Sequence, residues 1–194
     1  MKLLWTACFI VTALISGCAS VPMASLDKDV SAKSFSPPAG RASLYIYRNE
    51  VLGSAIPMTV LINGKNLGQT ASKTYFHLDL LPGTYEVDSV AENTSNIKIL
   101  LKERRNYFIW QEVKMGAWMA RSLLQEVDED TGREGVLESK LIKVQVPEED
   151  ILPLERQSSH SILNQIRELD ELRKDGIITD EEFEVKKKTL LEKL

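Results

Sequence analysis

The sequence predicts a mainly β protein: an antiparallel β-sandwich or partly closed barrel followed by a small C-terminal α-helical hairpin. Three observations carry this expectation. Short runs with period-two apolar patterning recur from Arg41 to Val146, separated by turn residues. After Ser158 the apolar spacing changes to that of a helix. The chain has 194 residues, 43% apolar and 27% charged, which suffices for one ordinary domain with attachments and excludes a wholly disordered polymer or a polytopic membrane protein. The formal charge of −4 argues against a nucleic-acid partner held by bulk basic charge. Two histidines leave almost no material for an all-protein zinc site, and no metal or cofactor is expected.

The first element, residues 1–17, reads as an export signal. Met1 and Lys2 precede an apolar run from Leu3 to Ile15, which is shorter than the ~20 residues of a membrane-spanning helix, and Ser16-Gly17-Cys18 follows. Leu14-Ile15-Ser16-Gly17-Cys18 resembles the bacterial lipobox, in which the cysteine thiol is acylated and becomes the first mature residue. The resemblance implies lipidation at Cys18 and attachment to a membrane by several acyl chains, palmitate among them; a single chain anchors only marginally. Cleavage there would remove Lys2 and Cys8, taking the formal charge from −4 to −5 and leaving no free thiol. Ala19 and Ser20 after the cysteine resemble the pattern sorted to the outer membrane, on its periplasmic side. Residues 18–40, rich in Ser, Ala and Pro, read as a lipidated flexible tether with a span of roughly 25 Å.

Residues 41–146 form the expected sandwich. Its first strand is 42–47, and 58–62 is a second. Asn63-Gly64 then gives a strong hairpin signal, because both residues tolerate positive φ. Lys73 to Leu80 alternates Phe76, Leu78 and Leu80 against Tyr75, His77 and Asp79, and Pro82-Gly83 fits a tight turn before the strand at 84–87. Segments 97–101, 107–113, 123–127 and 141–146 complete the set. Gly132-Arg133-Glu134-Gly135 reads as a polar loop and lacks the setting of a phosphate-binding loop. Residues 147–157 read as an acidic connector.

In residues 158–194, Ile162, Ile166, Leu169 and Leu172 mark one helical stripe, and Phe183, Leu190, Leu191 and Leu194 mark another. Gly176 supplies a helix stop. Thr179 and Glu182 have capping-box spacing, flanked by Ile178 and Phe183 as a hydrophobic staple. The same segment superficially matches a calcium loop, but Arg173 would then occupy a ligand position, and the helix cap accounts for the residues.

Two resemblances follow from these residues. Leu44-Tyr45-Ile46-Tyr47-Arg48, Val60-Leu61-Ile62-Asn63-Gly64-Lys65, Phe76-His77-Leu78-Asp79-Leu80 and Leu124-Gln125-Glu126-Val127 resemble the domain-of-unknown-function 2846 family of bacterial lipoproteins. That resemblance implies a fold and supplies no catalytic residues. Ile166 to Thr179, with Asp180-Glu181-Glu182-Phe183-Glu184 and Lys186-Lys187-Lys188, is similar to the SHOCT (short C-terminal) domain, which implies association. A pair of helices this short rarely buries enough apolar surface to fold alone. The expected role is therefore that of a non-enzymatic envelope lipoprotein, associating with itself or with another envelope protein through Ile162, Ile166, Leu169, Leu172, Ile178, Phe183, Leu190 and Leu191. The alternative is a glycan- or peptidoglycan-binding module in which Trp118 contacts the ligand, while Trp110 is expected in the core. His77 and Asp79 share one strand face, roughly 6–7 Å apart along the chain. No nucleophile-elbow motif accompanies them, so a hydrolase is disfavoured. Arg104, Arg105 and His160 are read as solvated.

Overall fold

The computed structural model describes residues 21–51, 56–115 and 120–194. The signal segment, Cys18 and Trp118 lie outside the described residues. Among those described, nine strands form two sheets packed as an open sandwich, followed by two helices. None of the described helices is long and apolar enough to cross a membrane.

One sheet has the order β8-β7-β1-β4-β9, built from β1 (Ala42–Arg48), β4 (Thr74–Leu80), β7 (Asn106–Met115), β8 (Ala120–Val127) and β9 (Lys140–Leu141). The other has the order β3-β2-β5-β6, from β2 (Met58–Ile62), β3 (Lys65–Thr70), β5 (Gly83–Val90) and β6 (Thr94–Leu101). Asn63 and Gly64, with φ of 47° and 76°, make the tight turn from β2 into β3. The pairing is mostly antiparallel, but β1 runs parallel to β7, and β4 runs parallel to β9. The antiparallel sandwich expected is thus found with two parallel pairs added: hairpin signals report neighbours in sequence, whereas β7 comes beside β1 only after the chain has built the second sheet. The segment expected as a strand at 141–146 leaves the ladder after Leu141. It crosses to the second sheet, where the Gln145 amide donates to the Leu67 carbonyl at 3.1 Å.

The inter-sheet core is lined by Leu44, Ile46, Val60, Phe76, Leu78 and Ile109. At one end it turns polar. The Thr70 hydroxyl donates to Gln111 Oε1 at 2.5 Å, the Gln111 amide donates to Ser89 Oγ at 2.5 Å, and Ser89 meets Ser122 at 2.6 Å. Thr70, Gln111, Ser89 and Ser122 thus bond one another inside the core, as the desolvation of their polar groups requires.

The opposite face of β1 is buried as well, so every residue of that strand is inside. Tyr45, Tyr47, Tyr75 and Phe108 form a second core on the outer face of the five-stranded sheet, covered by α1 (Leu26–Ala32), Phe35 and α2 (Glu129–Leu137). The described part of the expected tether is thus folded onto the sandwich. Tyr45 donates to the Ala32 carbonyl at 2.8 Å, and Asp29 Oδ1 accepts from the Tyr75 hydroxyl and the Leu141 amide, each at 2.9 Å. Aromatic groups on the outer sheet face demand a cover, and this segment supplies it.

The expected polar loop at 132–135 is helical. Asp128 caps α2 by accepting from the Thr131 amide at 2.9 Å. Two glycines argue locally against a helix, but they face the sheet. A Cβ on Gly132 would lie 2.1 Å from Phe108 Cγ, and one on Gly135 would lie 2.0 Å from Tyr47 Cε2.

Candidate functional site

The C-terminal hairpin consists of α3 (Leu154–Lys174) and α4 (Asp180–Leu191). Helix α3 starts four residues before the expected Ser158. Ser158 and Ser159 lie inside its first turns and donate back to the Leu154 and Glu155 carbonyls at 2.9 and 3.1 Å. His160 is exposed on this helix. The turn between the helices follows the expected chemistry. Gly176 has φ of 69°, its amide bonds the Arg173 carbonyl at 3.0 Å, and the Ile177 amide bonds that of Leu172 at 2.9 Å, which is a Schellman ending. The Glu182 amide donates to Thr179 Oγ1 at 3.2 Å and the Thr179 amide to Glu182 Oε2 at 2.9 Å, completing the capping box. Arg173 ties the two helices together, reaching Asp170 at 2.7 Å and Asp180 at 3.2 Å while its guanidinium lies over the Phe183 ring.

The hairpin joins the sandwich through a docked connector. Ile151 is buried in the inter-sheet core. Asn63, in the β2–β3 turn, donates to the Leu152 carbonyl at 2.7 Å and accepts from the Glu86 amide at 2.7 Å. Lys65 Nζ bonds the Asp150 carbonyl. Glu155 accepts from the Thr84 amide at 3.2 Å, and Pro153 sits where a side chain on Gly83 would stand. The acidic connector read from sequence is therefore a fixed joint, because Ile151 carries it into the core.

The expected association residues divide into three groups. Ile162 and Phe183 are buried, Ile166, Leu169, Ile178 and Leu190 are half-buried, and Leu172 and Leu191 are exposed. Two of the eight are thus interior packing and offer nothing to a partner. Val185, 68% exposed and absent from the expected set, joins Leu169, Leu172 and Leu190 in lining a groove of about 390 Å³ between the helices. Its surplus apolar character was visible in the sequence, but its orientation was not.

A second concave feature, of about 660 Å³, opens on the outer face of the five-stranded sheet beside α1. Its floor is His77 and Asp79, brought together on β4 as their spacing predicts, and Glu148 and Glu149 stand at its wall. His77 stacks against Tyr45 with ring centroids 4.6 Å apart, and its Nε2 lies 3.3 Å from Asp79 Oδ1. Ser43 donates to that same Oδ1 at 2.5 Å. Burial by itself would raise the Asp79 pKa, but the contacts from His77 and Ser43 prevail and hold it below the usual carboxylate range. Glu148, from a short 3-10 turn at Glu148–Asp150, is pushed upward by burial. The serine hydroxyl is spent on Asp79 and not on the histidine, so these three groups are not wired as a serine–histidine–carboxylate relay. Among the described residues, no three His, Cys, Asp or Glu side chains converge to hold a metal ion. Trp110 is half-buried against the outer core, and Arg104 is exposed.

Comparison with known proteins gives three findings. A family model described as "Protein of unknown function (DUF2846)" matches residues 38–122. A second, described as "Short C-terminal domain" (SHOCT), matches residues 164–191. A Haemophilus influenzae protein described as "Uncharacterized protein" is 34% identical over 128 residues, covering 65% of this chain and 76% of that protein. The first match runs from just before β1 into β8, and the second from the middle of α3 to the end of α4.

Proposed function

The chain belongs to the DUF2846 family and ends in a short C-terminal domain, and from that premise we propose that it is a non-enzymatic, lipid-anchored envelope protein that associates with a protein partner through its C-terminal hairpin. One observation carries this reading: the hairpin is fixed to the sandwich at its root, yet it keeps Leu172 and Val185 exposed along an apolar groove that Leu169 and Leu190 also line. An apolar strip on a rigidly presented helix pair suits partner docking better than a role in solvation. Anchoring through Cys18, on the periplasmic side of an outer membrane, follows from the lipobox resemblance.

In vivo crosslinking with the intact chain, with Val185→Glu and with the hairpin deleted tests association. Loss of the same crosslinked species in both altered chains is expected, and identical species in all three would refute the role. Membrane fractionation of Cys18→Ala tests the anchor separately, with release to the soluble fraction expected.

A second reading, a ligand-binding module, is favoured by the polar cleft at His77 and Asp79, whose volume lies in the range of small-molecule sites. Retention on purified cell-wall material that disappears in Asp79→Asn would support it over association.

A further inference from the structure

The folding of residues 21–40 onto the sandwich changes what a lipid anchor does. Val21 is buried in the inter-sheet core. The backbone after it is pinned: the Lys143 amide bonds the Pro22 carbonyl at 2.8 Å, Met23 bridges Ile142, and the Ala24 amide bonds the Leu141 carbonyl at 2.9 Å. Between Cys18 and Val21 stand just Ala19 and Ser20. Three peptide units reach roughly 10 Å even when fully extended. A protein acylated at Cys18 therefore holds its folded domain within about that distance of the bilayer, less than half the span expected of a flexible tether.

The surface beside this attachment is apolar. Met23 is 43% exposed, Leu26 75% and Val30 63%. Leu26 and Val30 are one helical turn apart on α1, whereas Met23 precedes the helix in the segment bridged to Ile142. Tyr45 and Tyr75 engage α1 at Ala32 and Asp29, and Leu26 and Val30 point away from the protein.

We infer that the Leu26 and Val30 face of α1 rests in the interfacial region of the bilayer that receives the Cys18 acyl chains, so that the domain lies against the lipid. This rests on acylation of Cys18 as proposed above. The occupant is a lipid surface because acylation at Cys18 brings one to within about 10 Å of Val21, five residues before α1 begins, and apolar side chains at an interface are stabilised by burial among acyl chains.

The test uses the full acylated chain in vesicles of phosphatidylethanolamine and phosphatidylglycerol. The mature chain has no free thiol, so Leu26→Cys and Val30→Cys each accept one nitroxide label, and Lys98→Cys, exposed on the outer face of the other sheet, serves as reference. The ratio of oxygen to nickel-chelate collision is expected to be several-fold higher at 26 and 30 than at 98, as lipid immersion requires. Equal ratios in a chain that mass spectrometry shows to be acylated would overturn the inference and leave the anchor standing. Labels at 26 shielded from both reagents would overturn it too, marking a protein cover. A mass without acyl chains would overturn both readings at once.

Discussion

Replacing Gly135 with alanine sets two physical effects against each other, and the structure decides the sign. In a solvent-exposed helix the change is favourable by roughly 1 kcal/mol, because alanine has the higher helix propensity. Here the new Cβ would fall 2.0 Å from Cε2 of Tyr47 and 2.6 Å from its Cδ2 and Cζ. Carbon atoms in contact prefer about 3.5–4.0 Å, so the helix or the ring must move by roughly 1.5 Å. The ring cannot swing aside easily: Tyr47 is 2% exposed and stands on β1, the central strand of its sheet. Overpacking of this kind costs about 1–3 kcal/mol, and the severity of the contact puts it at the upper end. The net expectation is a loss of about 2 kcal/mol, or roughly 4–8 °C in Tm for a chain of this size. Urea unfolding followed by near-ultraviolet circular dichroism measures it, provided the denaturant slope is unchanged. Glu134→Ala, exposed on the same helix, should stay within about 0.5 kcal/mol of the parent. A Gly135→Ala chain at least as stable as the parent would refute the packing of α2 on Tyr47.

Three further outcomes are expected. Thr179→Ala removes the hydroxyl half of the capping box and should cost α4 about 1 kcal/mol, read as faster hydrogen exchange at its first amides with the sandwich unaffected. Asn63→Gly keeps a turn compatible with positive φ but deletes both bonds to Leu152 and Glu86, so limited proteolysis within residues 147–157 should accelerate; unchanged cleavage would contradict a fixed joint. Burial raises the Glu148 pKa, so the folded state binds its proton more readily than the unfolded chain does. That contribution is complete in acid and is lost as pH rises from the ordinary glutamate range through the raised folded value. Glu148→Gln should therefore match the parent in acid unfolding experiments and exceed it in stability at neutral pH.

What the sequence determined by itself is what depends on a few adjacent residues. Period-two runs gave β1, β2 and β4 to within a residue or so, Asn63-Gly64 gave the turn after β2, and Gly176 with Thr179 and Glu182 gave both termini facing the interhelical turn. Each of these is a local conformational preference or a hydrogen bond between near neighbours. Strand β3 was not visible, because Lys65-Asn66-Leu67-Gly68-Gln69-Thr70 alternates poorly and is held by pairing with β2 across a bulge. His77 and Asp79 were legible as a pair from strand geometry, but Glu148, about seventy residues later, comes to their cleft through a long-range fold.

The tertiary structure alone decided the rest. Tyr45, Tyr47, Tyr75 and Phe108 place a second apolar surface on the outer face of the sheet, and residues 21–40 and the glycine-bearing helix α2 fold to cover it. Neither segment has a strong preference of its own: one lacks periodicity, and the other carries two glycines that weaken a helix. Their structure comes from burial against aromatic rings brought together by strand pairing, including the parallel contact of β1 with β7. Local propensity is worth tenths of a kcal/mol per residue, whereas burying one large side chain is worth about 1.5–3 kcal/mol, so the distant surface overrides the local preference.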